Sequence, residues 1–228
     1  MQVMTALEPI RLKSLRDHVH DRLREAIITG RLTSGQKLNE RQLAADMQIS
    51  SSPLKEALRQ LEAEGLVRTE PRRGTFVAFN PRQAEEMNLA RAALESIIAR
   101  QAAKHGTELQ FDNLRQIIEE MRIEVENGNP EQLISLNEKF HDAIHIASGC
   151  DYLRRLQNAQ HMYNHAARIS VLAQDDVRRA SFREHEEIMQ AIVTRDGAEA
   201  ERLMREHIVS AGETHIKLVF GADSLGDA

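Results

Sequence analysis

Residues 50–65, SSSPLKEALRQLEAEG, constrain the fold of this chain more than any other stretch. Three hydroxyl residues and Pro53 open the segment, and Leu54, Ala57, Leu58 and Leu61 then recur at helical spacing, which predicts an amphipathic helix with one packed face. Pro53 falls in the first turn, where a missing N–H costs little. The opposite face carries Ser51, Ser52, Lys55, Glu56, Arg59 and Gln60. Small donors and cations at the open N-terminal end of a helix suit a DNA major groove, although an ordinary surface helix satisfies the same facts.

The flanking segments favour the groove reader. Leu15, Val19, Leu23 and Ile27 stand at four-residue steps and predict a helix that stops at Gly30, with His18 and His20 on its solvated side. Residues 32–38 then form a turn with room for a very short strand. Asn39 reads as an N-cap, with Gln42 closing a capping box over a short helix that turns Leu43, Ala44 and Met47 inward. Gln48 and Ile49 make a tight turn into the helix of residues 50–65. Beyond Gly65, residues 66–69 and 75–78 are strand-like and are joined by Glu70-Pro71-Arg72-Arg73-Gly74. Helix, helix, tight turn, helix and hairpin is the order of a winged helix-turn-helix.

Charge separates front from rear. Residues 1–80 hold 13 Lys/Arg against 10 Asp/Glu and residues 81–228 hold 17 against 25, so the net charge of −5 hides a basic front and an acidic rear. Only the front suits a polyanion. No run of eighteen apolar residues exists and the N-terminus has no apolar run of signal-peptide length, so a cytoplasmic protein with no membrane partner is expected. The lone Cys150 agrees with a reducing compartment.

Asn80-Pro81 marks the boundary, and only helical periodicity follows it. Thr107 with Gln110 reads as a capping box, Asn129-Pro130 as a cap and first helical residue, and glycines at 106 and 149 as stops. The expected fold is mainly α: an N-terminal winged helix-turn-helix over 1–79, a linker at 80–84, an all-α bundle of about six helices over 85–220, and a flexible tail at 221–228.

The histidines form two pairs at i,i+4 spacing, His141 with His145 and His161 with His165, each with both rings on one helix face, an arrangement zinc accepts. Such pairs also arise by chance in a helical chain with 10 histidines.

From Gly30 to Val77 the segment GRLTSGQKLNERQLAADMQISSSPLKEALRQLEAEGLVRTEPRRGTFV resembles the winged helix-turn-helix of GntR-type bacterial transcription regulators. NEKFH at 137–141, EHEEIMQAI at 184–192 and REHI at 205–208 resemble the helical FCD effector domain of the subfamily that includes the fatty-acid-responsive regulator. Together the two cover nearly the whole chain. The resemblance implies a ligand-responsive regulator that binds a palindromic double-stranded operator as a homodimer, commonly a repressor released by its effector.

It further implies DNA contacts from Arg41, Ser50, Ser51, Ser52, Lys55, Arg73 and Gly74, and Arg72 beside them at the hairpin tip suits a minor groove. Many relatives carry arginine at positions 51 and 55. Ser51 and Lys55 remove one fork-shaped donor and replace another by a point charge, so base selection should differ. In the rear, the resemblance places Asn137, His141, His185 and His207 around a divalent metal, zinc or nickel, with open coordination positions. Asn137 is a neutral donor where a carboxylate is common. The other reading of this cluster is a buried polar group satisfied by water. Arg91, Arg168, Tyr163 and Asn164 are then the candidates for holding a small organic or sugar acid at that metal. The alternatives are a regulator for which the metal is itself the signal, and a metal-dependent hydrolase. No His-Glu-x-x-His segment supports the hydrolase.

Overall fold

The computed structural model describes residues 14–128, 130–158 and 175–225. These divide into two compact units, one of residues 14–24 and 35–78 and the other of residues 25–34 and 79–225.

The first unit takes in the beginning of α1 (Leu15–Ile28), β1 (Lys37–Leu38), α2 (Glu40–Asp46), α3 (Ser51–Ala63), β2 (Val67–Glu70) and β3 (Gly74–Val77). The three strands form an antiparallel sheet in the order β1-β3-β2. Asn39 caps α2 by accepting from the Gln42 N–H at 3.2 Å. Gln42 turns its own side chain to Asp46, so the expected reciprocal box bond gives way to an i,i+4 bond of 2.7 Å. Leu54, Ala57, Leu58 and Leu61 are buried, as the periodicity of α3 requires.

Along α1 the packed face is wider than the four-residue row suggests. Val19 and Leu23 are buried but Leu15, at the helix start, is 54% exposed. His20, expected in solvent, is buried. It lies 100° round the helix from Val19, at the edge of the packed face, and its Nε2 bonds Glu64 Oε1 at 2.8 Å. Arg24, one turn on, places Nε 3.3 Å from the other Glu64 oxygen.

The second unit contains six described helices: α4 (Pro81–His105), α5 (Glu108–Asn127), α6 (Pro130–Ser148), α7 (Asp151–Asn158), α8 (Asp175–Val193) and α9 (Gly197–Phe220). Residues 80–84, expected as a linker, hold the N-cap and first turn of α4. Asn80 Oδ1 accepts from the Gln83 N–H at 3.0 Å, and Pro81 takes the first helical position, where no N–H is needed. Thr107 and Gln110 form the full capping box of α5. Asn129, expected to cap α6, lies outside the described residues. In the expected tail, Ala222–Leu225 forms a 3-10 turn.

Phe111, Leu114 and Ile118 of α5, Leu136, Phe140 and Ile144 of α6, Ile188 and Ile192 of α8, and Met204 and Ile208 of α9 pack with the alanines of α4 into one apolar core. The α4 and α9 backbones approach closely at Gly212: a Cβ there would fall 1.9 Å from Asn88 Nδ2. Asn88 is buried and donates to the Val209 carbonyl at 3.4 Å. The four histidines that matter for chemistry, three of them near one another, project from α6, α8 and α9 into this interior.

Candidate nucleic-acid interface and candidate metal centre

With one face of α3 buried, Ser51, Ser52, Lys55 and Arg59 are left on the exposed face. Ser50 is the N-cap, in extended conformation, and its hydroxyl makes no cap hydrogen bond. The first-turn N–H groups of a helix lack intrahelical partners, so this end offers backbone donors, three hydroxyls and one ammonium to an anion. Arg41 is exposed in the first turn of α2.

At the hairpin tip, Arg73 N–H donates to the Glu70 carbonyl at 3.1 Å and closes a turn whose third residue, Arg72, has φ 63°. A left-handed backbone at arginine costs about 1 kcal/mol relative to glycine. The turn therefore holds a cation where conformation alone favours Gly. Gly74 follows at φ 105°, with space for a Cβ only 3.2 Å from Lys37 Cε. Arg72 and Arg73 are exposed, and Arg73 pairs with Glu70.

The sheet register adds residues that periodicity did not single out. Lys37 stands opposite Phe76 on one side and Arg68 on the other. Lys37 Nζ and the Arg68 and Arg73 guanidinium carbons lie 6.0, 5.6 and 5.6 Å from the Phe76 ring centre. The ring stands in one cross-strand row with Lys37 and Arg68, and Arg73 from the hairpin tip is a third cation near it. Cross-strand pairing creates this row, and only the register of three strands reveals it.

In the bundle, His141, His185 and His207 are all buried and each offers a ring nitrogen within 4.8 Å of the others. His185 Nε2 and His207 Nε2 are 3.1 Å apart. Two nitrogens about 2.1 Å from one ion and tetrahedral to each other lie roughly 3.4 Å apart, so this pair already has the bite of a metal site. Asn137, on the same helix as His141, sets Nδ2 3.4 Å from His185 Nε2, while its buried Oδ1 has no hydrogen-bond partner. The two ends of an amide have one shape, and a half-turn about the last torsion brings that orphaned oxygen to the histidine side. The donor set of three imidazoles and one amide oxygen fits a divalent ion.

Two carboxylates flank the triad. Glu184 Oε2 lies 2.6 Å from His207 Nδ1. Glu95, from α4, places one oxygen 3.5 Å from His141 Nδ1 and 2.8 Å from His145 Nε2. At 2.6 Å Glu184 accepts the His207 Nδ1 proton, which would leave Nε2 of that ring for an ion, while Glu95 stands beside the His141 ring as a charge. Burial of Glu95 opposes its ionisation, and the His141 and His145 rings outweigh that, holding its carboxyl well below the usual range. His145, paired with His141 by sequence spacing, is therefore turned to Glu95 rather than into the triad. The other Glu95 oxygen accepts from Gln157 Nε2 at 3.0 Å and lies 3.7 Å from Arg91 Nε, itself buried. Glu184 and Glu95 were not legible as site residues, because each meets its histidine 23 or more positions away. Arg168, Tyr163, Asn164 and the pair His161 and His165 lie outside the described residues. A cavity of about 250 Å³ between α8 and α9, bordered by Ser181, Glu184, His207, Ser210 and Thr214, leads to the His207 edge of the triad.

Comparison with known proteins agrees with both units. Residues 15–77 match the model of the bacterial regulatory proteins of the gntR family, and residues 86–210 match that of the FCD domain. The chain is 26% identical over 217 residues, 94% of its own length and 93% of the relative's, to the HTH-type transcriptional repressor RspR of Escherichia coli (strain K12). It is 26% identical over 136 residues, 60% of this chain and 56% of the relative, to the gluconate operon transcriptional repressor of Bacillus subtilis (strain 168). Among solved structures, E. coli McbR/YncC superposes with a TM-score of 0.64 at 22% identity, covering 87% of this chain and 95% of that one. Among the described residues no helix is long and apolar enough to cross a membrane. With a reading head in front and an FCD domain spanning more than half of its length, this chain belongs to the gntR family of bacterial DNA-binding transcription regulators, in the branch that carries an FCD domain.

Proposed function

We propose that the chain is a cytoplasmic repressor that binds a palindromic operator as a homodimer and leaves it when a small organic or sugar acid binds in the FCD domain. The observation that carries this reading is the buried His141, His185 and His207 triad, enclosed in a unit whose chain also carries an exposed cationic reading head. In the head, Ser50, Ser51, Ser52 and Lys55 face the major groove and the phosphates beside it, Arg41 reads a base edge, and Arg72, Arg73 and Gly74 enter a minor groove. Two copies place two such heads on two half-sites.

Within the bundle, His141, His185 and His207 would hold zinc or nickel, with the Asn137 amide oxygen as a fourth donor. Bound there, the ion supplies a Lewis-acidic position for an anionic oxygen. Arg91 lies one helical turn from Glu95, whose carboxylate stands beside His141, and its guanidinium would meet the acid's charge. Arg168, Tyr163 and Asn164 complete the candidate effector set. The ligand switches the protein only if it binds the DNA-free arrangement more tightly than the DNA-bound one. The gluconate operon repressor among the relatives supports both a repressing role and a sugar acid.

Titrating metal and acids separately into an operator-binding assay tests this. Release by an acid in metal-loaded protein, and none by metal alone, is the expected result. Release by metal alone would make the ion the signal, and turnover of an ester or amide would favour a hydrolase.

A further inference from the structure

Helix α4 buries one face in the bundle and carries a second, apolar row on the opposite side. Ala84, Asn88, Ala92, Glu95, Ala99 and Ala102 face the bundle. On the far side, Leu89 is 49% and Ile97 36% exposed, and Ala90 and Ala93 lie in solvent between them. A helix inside a folded unit has no internal reason to carry an apolar row on its outer face.

The pattern of that row is a palindrome. Counting outward from Ala93, Leu89 and Ile97 stand four residues to either side, and Glu86 and Arg100 seven residues to either side. Ala93 is also the middle residue of α4, which runs from Pro81 to His105. An isologous contact about a two-fold axis brings residue i of one copy to residue j of the other and j to i, so an antiparallel pair of α4 helices matches residues whose numbers sum to a constant. About Ala93, that places Leu89 against Ile97 of the second copy and Glu86 against its Arg100, twice over, with alanines at the crossing where helices come closest.

We infer that the outer face of α4 is the surface on which two copies of this chain pair, antiparallel and two-fold symmetric about Ala93. The apolar residues supply the dry centre, and the Glu86 and Arg100 charges fix the antiparallel direction, because a parallel pair would set Glu86 on Glu86 and Arg100 on Arg100. Within one chain Glu86 pairs with Arg82 at 3.2 Å and Arg100 with Glu201 at 2.9 Å. Both are solvent-exposed pairs of small worth, so the charges re-pair at little cost. This face deepens the homodimer reading given above and rests on it.

Sedimentation equilibrium on the full-length protein, with far-UV circular dichroism as a check on folding, tests the face. Wild type should sediment at twice its chain mass of 25.9 kDa, and Leu89→Glu/Ile97→Glu as a folded monomer. Glu86→Arg and Arg100→Glu should each weaken association at least tenfold, and the double reversal should restore it. In a Cys150→Ser background, Ala93→Cys should cross-link to itself on mild oxidation, because a residue on the axis meets its own copy, whereas Leu109→Cys should not. A monomeric wild type would overturn the homodimer reading itself. A dimeric Leu89→Glu/Ile97→Glu variant without Ala93→Cys cross-linking would overturn this face alone and leave the homodimer intact.

Discussion

Glu184 Oε2 lies 2.6 Å from His207 Nδ1, and His207 Nε2 in turn lies 3.1 Å from His185 Nε2. A carboxylate only accepts, so the bond assigns the ring proton to Nδ1 and the free lone pair to the nitrogen that faces the triad. Removing the charge while keeping the shape should loosen that assignment. Glu184→Gln should lower metal affinity about 10- to 100-fold with the fold unchanged, measured by competition with a chromophoric chelator. Equal affinity in variant and wild type would show that the bond has no part in holding an ion.

The ligand assignment itself has a sharper test. His185 is fully buried between His141 and His207, and its loss leaves two imidazoles and an amide, too few for tight binding of zinc. His185→Ala should be purified without stoichiometric metal and should still bind operator in the absence of effector. Unchanged metal content by elemental analysis would refute the ligand set.

Local chemistry was legible where the partner is near in sequence. Thr107 and Gln110 announced a capping box that the structure contains, and residues 50–65 announced a helix whose four apolar positions are all buried. His141, His185 and His207 could be gathered only through resemblance, since they come from three helices. His20 shows the limit from the residues alone. Its environment is set by Glu64, 44 positions away, and a helix wheel does not show how wide the packed face is. The row of Lys37, Phe76 and Arg68 was hidden for the same reason, because it exists only in the register of β1, β3 and β2.

Arg41 and Lys55 should respond differently to deletion. An arginine that forks onto guanine contributes base discrimination, so Arg41→Ala should cost about 1–3 kcal/mol of operator affinity and flatten preference at one base pair. If Lys55 acts as a point charge on the phosphates, Lys55→Ala should weaken all sequences alike and reduce the salt slope by about one. Fluorescence anisotropy over a panel of single-base operator variants at several salt concentrations separates the two. A uniform loss for Arg41→Ala would make it a phosphate contact.

Gly212 permits the contact between α9 and α4. A methyl group there would overlap the Asn88 amide, which is buried and bonded to the Val209 carbonyl. Alanine is otherwise the better helix former by about 1 kcal/mol, so propensity alone predicts a gain. Overlap should win: Gly212→Ala should destabilise the bundle by about 1–3 kcal/mol, read from urea unfolding. Pairing it with Asn88→Ala should recover part of the loss, because the obstructing amide is then gone. A stabilised single variant would show that Asn88 swings aside freely.

His215 should make the bundle sensitive to acid in the opposite sense to His20 in the reading head. Burial lowers the His215 pKa from 6.5 to about 4, against an opposing hydrogen bond to the Ile28 backbone. The folded state therefore favours the neutral ring. Its contribution to stability is fully present above about pH 6.5 and is lost as pH falls toward 4, up to about 3 kcal/mol. The His20 pKa is instead raised, first by its bond to Glu64, so its contribution is fully present below pH 6.5 and is lost as pH rises through the folded value. Between pH 6.5 and 4, urea midpoints should fall for wild type and fall less for His215→Gln, while His20→Gln should lose stability most at the acid end. An unchanged acid slope in His215→Gln would show that this ring is not what makes the bundle acid-labile.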